Sequence, residues 1–132
     1  MLKKIIPLFL LLLTGCVAVP DGITTITEFD INRYLGRWYE IARLDHSFER
    51  GLENVTADYD LRDDGGVKVI NRGYDPATEK WKQAEGKAYF VGESTAGQLK
   101  VSFFGPFYGG YNIIALDTKG YTYSMVCGPD RS

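Results

Sequence analysis

The sequence predicts an all-β protein whose strands form an up-and-down antiparallel barrel in one domain. Residues 55–61 and 99–103 alternate apolar and polar side chains, which is typical of strands with one buried face. Seven segments of this kind follow one another at spacings near ten residues, with turn-forming residues between them. The length of 132 residues suits a single domain. Together these observations favour a meander closing towards a barrel.

The predicted elements follow in order from Phe29. Residues 29–35 predict one helical turn, with Asp30 as its N-cap because a short carboxylate can accept a hydrogen bond from the first free N–H groups. The strands then cover roughly 36–45, 54–62, 67–74, 81–91, 98–104, 109–117 and 121–127. Gly, Asp and Pro mark the turns between them.

The first sixteen residues predict an export signal rather than part of the barrel. Lys3 and Lys4 precede nine apolar residues, 5–13, a run too short to span a bilayer core. The sequence Leu13-Thr14-Gly15-Cys16 resembles the bacterial lipobox, in which the cysteine becomes the lipidated first residue. A generic signal peptide with a chance cysteine is the alternative. We expect a signal peptide at 1–15, a tether at 16–28 and the barrel domain at 29–132.

Composition excludes several function classes. A formal charge of −2 gives no broad positive surface for nucleic acid. One His and two Cys are too few for a usual zinc site. No Gly-x-Ser-x-Gly, paired-Cys or phosphate-loop motif occurs, so we expect neither an enzyme nor a bound cofactor. With Cys16 acylated, Cys127 is expected to be a free thiol.

The inward-facing side chains are compatible with either a hollow or a filled interior. Four of the twelve candidates are Ala and one is Gly. Small residues there favour a cavity, but they also admit large aromatic neighbours into a solid core. The twelve candidates are Ala57, Tyr59, Leu61, Val67, Val69, Ala84, Gly86, Ala88, Val101, Phe103, Ile113 and Ala115.

A motif in the first strand carries a family resemblance. Residues 30–41, centred on Gly36-Arg37-Trp38, resemble the lipocalin signature. The following residues 42–51, with 101–111 and 126–131, are similar to the bacterial outer-membrane lipocalins, which are related to apolipoprotein D. The resemblance covers about 28–131.

The resemblance implies an eight-stranded calyx, closed by Trp38 at one end and covered at the other by a lid at 45–53. It implies a fatty acid or lysophospholipid as ligand and a role in membrane maintenance. Val17 after Cys16 implies sorting to the outer membrane, where we expect the periplasmic face. The expected ligand-binding residues of the interior are Ala57, Tyr59, Leu61, Val69, Ala84, Ala88, Val101, Phe103 and Ile113, with Gly36 and Trp38 as structural motif residues.

The chain ends after the seventh predicted strand, so the resemblance leads us to expect an open barrel lacking the eighth strand and the C-terminal helix. Two consequences of the free strand edges are expected: the chain is marginally stable and aggregates, which we favour, or the edges pair with a second copy in a homodimer. The alternatives to a ligand carrier are a structural or interaction lipoprotein without ligand and a non-functional shortened copy.

Several charged and aromatic residues near the mouth can be interpreted either as binding groups or as ordinary surface residues. Arg43, Glu49 and Arg50 near the mouth are either a phosphate site or ordinary solvated charge. His46 has no nucleophile beside it in the sequence and is expected to be a loop residue. The aromatic cluster Phe104, Phe107, Tyr108 and Tyr111 predicts packing at the barrel rim, with contact to a membrane or a second subunit as the alternative.

Overall fold

The computed structural model describes residues 19–43 and 51–128. A single helical turn, α1 (Ile31–Tyr34), precedes the strands. It begins where predicted, because the Asp30 side chain accepts a 3.0 Å hydrogen bond from the Asn32 N–H. No helix in the described ranges is long and apolar enough to cross a membrane.

Seven strands form one antiparallel sheet in the order of the chain, so the predicted meander is confirmed. The described sheet is a half-barrel in which β1 and β7 pair on one side only. The strands are β1 (Gly36–Tyr39), β2 (Glu53–Leu61), β3 (Val67–Asp75), β4 (Lys80–Phe90), β5 (Gln98–Phe104), β6 (Phe107–Leu116) and β7 (Ser124–Cys127).

Two strands are shorter than the sequence predicts. The expected first strand, 36–45, ends at Tyr39, where a register shift between Glu53 and Thr56 interrupts the partner strand β2. The expected seventh strand, 121–127, begins only at Ser124. Asp117 explains the delay, since its carboxylate accepts hydrogen bonds from the N–H groups of Lys119, Gly120 and Thr122 and closes a loop there.

The segment before α1 closes one end of the sheet. Ile26 N–H donates to Ile113 C=O at 2.9 Å, and Gly97 N–H donates to Ile26 C=O at 3.0 Å. Phe29 N–H donates to Thr95 C=O at 2.8 Å. These bonds tie the segment to the start of β5 and the end of β6, and we call this end the base. The opposite end, with turns 76–79 and 105–106, is called the mouth.

The core lies against the base, on the concave side of the sheet. It combines side chains from the segment before β1 with those of β2 to β6. Its buried members are Phe29, Tyr34, Tyr59, Val67, Val69, Ala88, Leu99 and Ile113.

Candidate functional site

The Gly-Arg-Trp motif organises the base. Gly36 has φ +98°, a left-handed conformation that other residues rarely adopt. The chain therefore turns sharply between α1 and β1, and Trp38 stacks on Tyr34 with ring centroids 4.6 Å apart. The Trp38 Nε1–H also donates to the Tyr34 C=O at 2.8 Å. Trp38 thus packs at the base end, where the family resemblance places it.

Four hydroxyl groups form a chain inside the base. Tyr111 Oη lies 2.8 Å from Tyr59 Oη and 2.9 Å from Tyr34 Oη. Tyr34 Oη lies 3.0 Å from Ser124 Oγ. Burial raises the pKa of Tyr34 and holds the pKa of Tyr111 well above its ordinary value. The phenol groups of Tyr34 and Tyr111 are therefore neutral at physiological pH and act as hydrogen-bonding groups rather than charges.

The base is packed almost solid. It leaves a cavity of about 20 Å³, about the space one water molecule needs. Ligand pockets usually measure roughly 300–1,000 Å³, so an acyl chain does not fit there. The cavity is lined by Phe29, Ile31, Tyr34, Tyr59, Val67, Val69, Ala88, Leu99 and Tyr111.

Smaller side chains lie between the base and the mouth. The strand register places Ala57 between Trp38 and Asn71, and Asn71 opposite Ala84. In this row, β2 and β4 contribute only a methyl group each to the concave face. Ala57 and Ala84 are half-buried in this row, whereas the core residues of the base are buried.

Phe103 covers the next position of β4. A Cβ added to Gly86 would lie 2.7 Å from the Phe103 ring and 2.7 Å from the Ser102 C=O. Only glycine therefore allows the ring and the β5 backbone to approach so closely.

A charged pair marks the mouth. Lys82 shares by alternation the face of Ala84, and its Nζ lies 3.0 Å from Asp75 Oδ2. The hydrogen bond from Lys82 lowers the pKa of Asp75. In the connection between β1 and β2, Arg43 Nη1 lies 3.1 Å from Glu40 Oε2. Arg43 was predicted near the mouth, whereas no sequence signal indicated Lys82, whose position on the concave side depends on the β3–β4 register.

The predicted interior residues divide into three groups. The residues in the base are buried, and those nearer the mouth are half-buried. Two are exposed, Leu61 at 52% and Phe103 at 40%. The ligand-binding role of all nine stays a prediction. The buried group is Tyr59, Val69, Ala88 and Ile113, and the half-buried group is Ala57, Ala84 and Val101.

Four other residues singled out in the sequence, Cys16, His46, Glu49 and Arg50, lie outside the described residues, as does most of the expected lid. Two members of the hydroxyl chain, Tyr34 and Ser124, were not among the site residues predicted from the sequence. A serine at the start of β7 gives no sequence signal for a partner 90 residues away.

The fold and the base define a calyx-type β protein: an antiparallel meander with an apolar concave face, closed at one end beside a Gly-x-Trp turn. The chain belongs to the lipocalin family. Residues 29–132 match the family described as Lipocalin-like domain, so the family resemblance is confirmed.

Bacterial relatives match most of the chain. It is 62% identical over 123 residues to the outer membrane lipoprotein Blc of Escherichia coli (strain K12), covering 93% of this chain and 69% of that protein. The Vibrio cholerae outer membrane lipoprotein Blc is 58% identical over 119 residues, covering 90% and 70%. These relatives confirm the predicted location as a lipid-anchored protein of the outer membrane. The periplasmic face and the acylation of Cys16 stay predictions.

More distant proteins share the fold. Apolipoprotein D of Rattus norvegicus is 37% identical over 105 residues, covering 76% of this chain and 52% of that protein. The structure of the allergen Per a 4 from cockroaches superimposes with a TM-score of 0.63 at 22% identity, covering 85% of this chain and 64% of that one. The chain thus spans less than two thirds of that solved structure.

Proposed function

We propose that this lipocalin binds or carries a small hydrophobic ligand, such as a fatty acid or lysophospholipid, at the outer membrane and serves membrane maintenance there. The proposal rests on the change in side-chain size along the concave face. The small Ala57 and Ala84 lie on the mouth side of an aromatic base that is filled by side chains. An acyl chain would lie along this small-residue row, with its end on the rings of Tyr59 and Tyr111. The base then acts as a floor that limits how deep the chain enters.

The mouth supports a ligand with one polar end. The Lys82 ammonium is half-exposed beside Asp75, and a carboxylate or phosphate entering there would gain a charge-assisted hydrogen bond. The rest of the concave face offers mostly apolar side chains. This pattern, one polar end and a long apolar surface, is the chemistry of a single-chain amphiphile.

The expected affinity follows from the length of chain buried. Each CH₂ removed from water contributes about 0.8 kcal/mol, and ordering the ligand offsets much of the sum. Burying about half of a sixteen-carbon chain therefore contributes at most about 6 kcal/mol, so the expected dissociation constant is tens of micromolar or weaker. Nothing in this binding requires catalysis, and we propose a carrier rather than an enzyme.

One observation favours a second candidate, a structural lipoprotein that holds no ligand. The cavity of about 20 Å³ left at the base indicates that side chains fill this end. If side chains also filled the space beside the small-residue row, the interior would serve only stability. Extraction of the purified protein and mass spectrometry of the extract separate the two candidates, since a carrier yields a stoichiometric amphiphile.

A matched pair of variants tests the position of the ligand. Ala84→Trp places an indole on the concave face, and Gln83→Trp places the same group on the convex face one residue away. We expect Ala84→Trp to weaken fatty-acid binding at least about tenfold, equivalent to about 1.4 kcal/mol, whereas Gln83→Trp leaves it unchanged. Equal binding by both variants, or an extract free of amphiphiles, would refute the proposal.

A further inference from the structure

The convex face of the β3–β4 hairpin carries three side chains in mutual contact, Arg72, Tyr74 and Trp81, which we call the aromatic ledge. Tyr74 lies directly opposite Trp81 in the strand register, and their rings meet edge to face at 5.3 Å. The Arg72 guanidinium lies over the indole, 4.5 Å from the centre of the ring. Trp81 nevertheless stays 50% exposed, so a partner can reach the indole from solvent.

Arg72 brings hydrogen-bond donors that the described part of the chain leaves unused. Its side chain is exposed, and among the residues described its guanidinium forms no hydrogen bond and no ion pair. The residues paired with it on β2 and β4, Thr56 and Gln83, are neutral. A guanidinium stacked on a ring keeps its N–H donors in one plane, where a carboxylate can accept two of them.

The acids along the same face do not neutralise Arg72. Asp58 already pairs with Arg37 at 2.9 Å, and Glu85 pairs with Lys68 at 3.4 Å. The aromatic ledge is therefore a half-exposed aromatic surface beside an unpaired cation, which is complementary to a partner with a negative charge.

We propose that the aromatic ledge binds a carboxylate-bearing amino-sugar polymer, the glycan of the bacterial cell wall. The proposal goes beyond ligand binding in the calyx. It rests on the outer-membrane location and on the predicted periplasmic face, and not on the identity of any amphiphile.

Each part of such a glycan has a counterpart on the ledge. The face of an aromatic ring carries partial negative charge and attracts the weakly positive C–H groups on one side of a sugar ring. The guanidinium of Arg72 can donate two hydrogen bonds to a carboxylate of the glycan. The Gln83 amide and the Thr56 hydroxyl, on either side of Arg72, both donate and accept hydrogen bonds, as sugar hydroxyl and acetamido groups require.

The size of the ledge favours a polymer over a second copy of the chain. The side chains of Tyr74 and Trp81 bury at most about 300–500 Å² together, whereas a stable protein interface needs about 800 Å² on each partner. A polymer needs less area at each site, because it repeats the same group and many anchored copies of the protein can bind it at once.

The ledge lies at the end of the sheet that is away from the anchor. Residues 19–26 are bonded to the base through Ile26, so a lipid anchor before them lies on the base side. Phe90, at one end of the 11-residue strand β4, packs against Phe29 in the base. Trp81 lies at the other end of that strand, beside the turn 76–79. A polymer beyond the anchoring leaflet is therefore closer to the ledge than the sugars of that leaflet's own headgroups.

Co-sedimentation with purified cell-wall sacculi tests the proposal. The full-length lipidated protein in detergent would be mixed with sacculi, and the bound fraction would be measured across protein concentrations. Arg72→Gln removes the charge and keeps a hydrogen-bonding group, and Trp81→Ser removes the indole. Lys87→Gln is the matched control, because it removes a positive charge from the same face of β4 near the base. Arg72→Gln changes only an exposed group, so it decides the outcome if Trp81→Ser fails to fold.

We expect Arg72→Gln and Trp81→Ser each to raise the dissociation constant for sacculi at least about fivefold, and Lys87→Gln to leave it unchanged. Neutral oligomers of N-acetylglucosamine should compete more weakly than fragments of the sacculi, and their binding should not depend on Arg72, because they carry no carboxylate. Three results would overturn the proposal: no sedimentation of the parent chain, an equal loss in Lys87→Gln, or tighter binding to lipopolysaccharide micelles than to sacculi.

Discussion

Replacing Tyr111 by Phe would test the hydroxyl chain in the base with little change of shape. The ring would keep its edge contact with Tyr59, whose centroid lies 6.2 Å away. The substitution removes two hydrogen bonds, to Tyr34 at 2.9 Å and to Tyr59 at 2.8 Å. A net hydrogen bond contributes about 0.5–1.5 kcal/mol, so the two predict a loss of about 1–3 kcal/mol. Against a total stability of about 5–15 kcal/mol, this loss is large.

Urea unfolding followed by tryptophan fluorescence would measure the effect. We expect a lower midpoint for Tyr111→Phe at an unchanged m-value, because the same surface is exposed on unfolding. Tyr123→Phe is the control, since it removes a hydroxyl from a residue that is 64% exposed, and its free energy of unfolding should change by less than about 0.5 kcal/mol.

A double-mutant cycle with Tyr59→Phe isolates one bond of the chain. We expect the two substitutions to be non-additive by about 0.5–1.5 kcal/mol, because the second one finds its partner already removed. If Tyr111→Phe is as stable as the parent chain, or if the two losses simply add, the hydroxyl chain does not stabilise the base.

Four further predictions follow from single features. Because burial holds the pKa of Tyr111 well above its ordinary 10.0, the folded chain keeps a proton that the unfolded chain loses, so stability should fall above about pH 10, less steeply in Tyr111→Phe, as shown by urea midpoints across that range. Gly86→Ala should destabilise by about 1–3 kcal/mol in the same assay, because its methyl group would meet the Phe103 ring at 2.7 Å; stability equal to that of the parent would contradict this packing. Arg33 donates hydrogen bonds to two carbonyl groups of the β6–β7 loop and covers a tyrosine ring at 4.3 Å, so Arg33→Ala should lower the urea midpoint, with about 0.5–1 kcal/mol from the lost cation–π contact alone. Cys16→Ser should move the protein out of the membrane fraction after cell fractionation, and equal membrane fractions for both chains would contradict lipidation at this residue.

The order and type of the elements were accessible from the sequence alone. Alternation of side chains follows directly from the two-residue repeat of a strand, and turn residues act through local backbone preferences. Both effects need only neighbours in the chain, and they predicted the seven-stranded meander and the turn capped by Asp30. The Gly-Arg-Trp motif and its flanking residues were likewise sufficient to identify the family.

Strand ends depended on contacts that sequence neighbours do not determine. β1 ends at Tyr39 because its partner strand is irregular between Glu53 and Thr56. β7 begins late because Asp117 holds the preceding loop through three backbone N–H groups. The alternation pattern continues through both regions, so it could not show where pairing stops.

The interior was decided by the tertiary structure. Alternation correctly places Tyr59 and Ala57 on one face, but it cannot show that Tyr59 is buried in a filled base while Ala57 is only half-buried. That difference arises because α1 brings Tyr34 across the end of the sheet, where curvature gathers hydroxyl groups from residues 52 to 90 positions apart in the chain. A periodic pattern fixes which way a side chain points, whereas volume and hydrogen-bond partners depend on which distant strands and loops meet it.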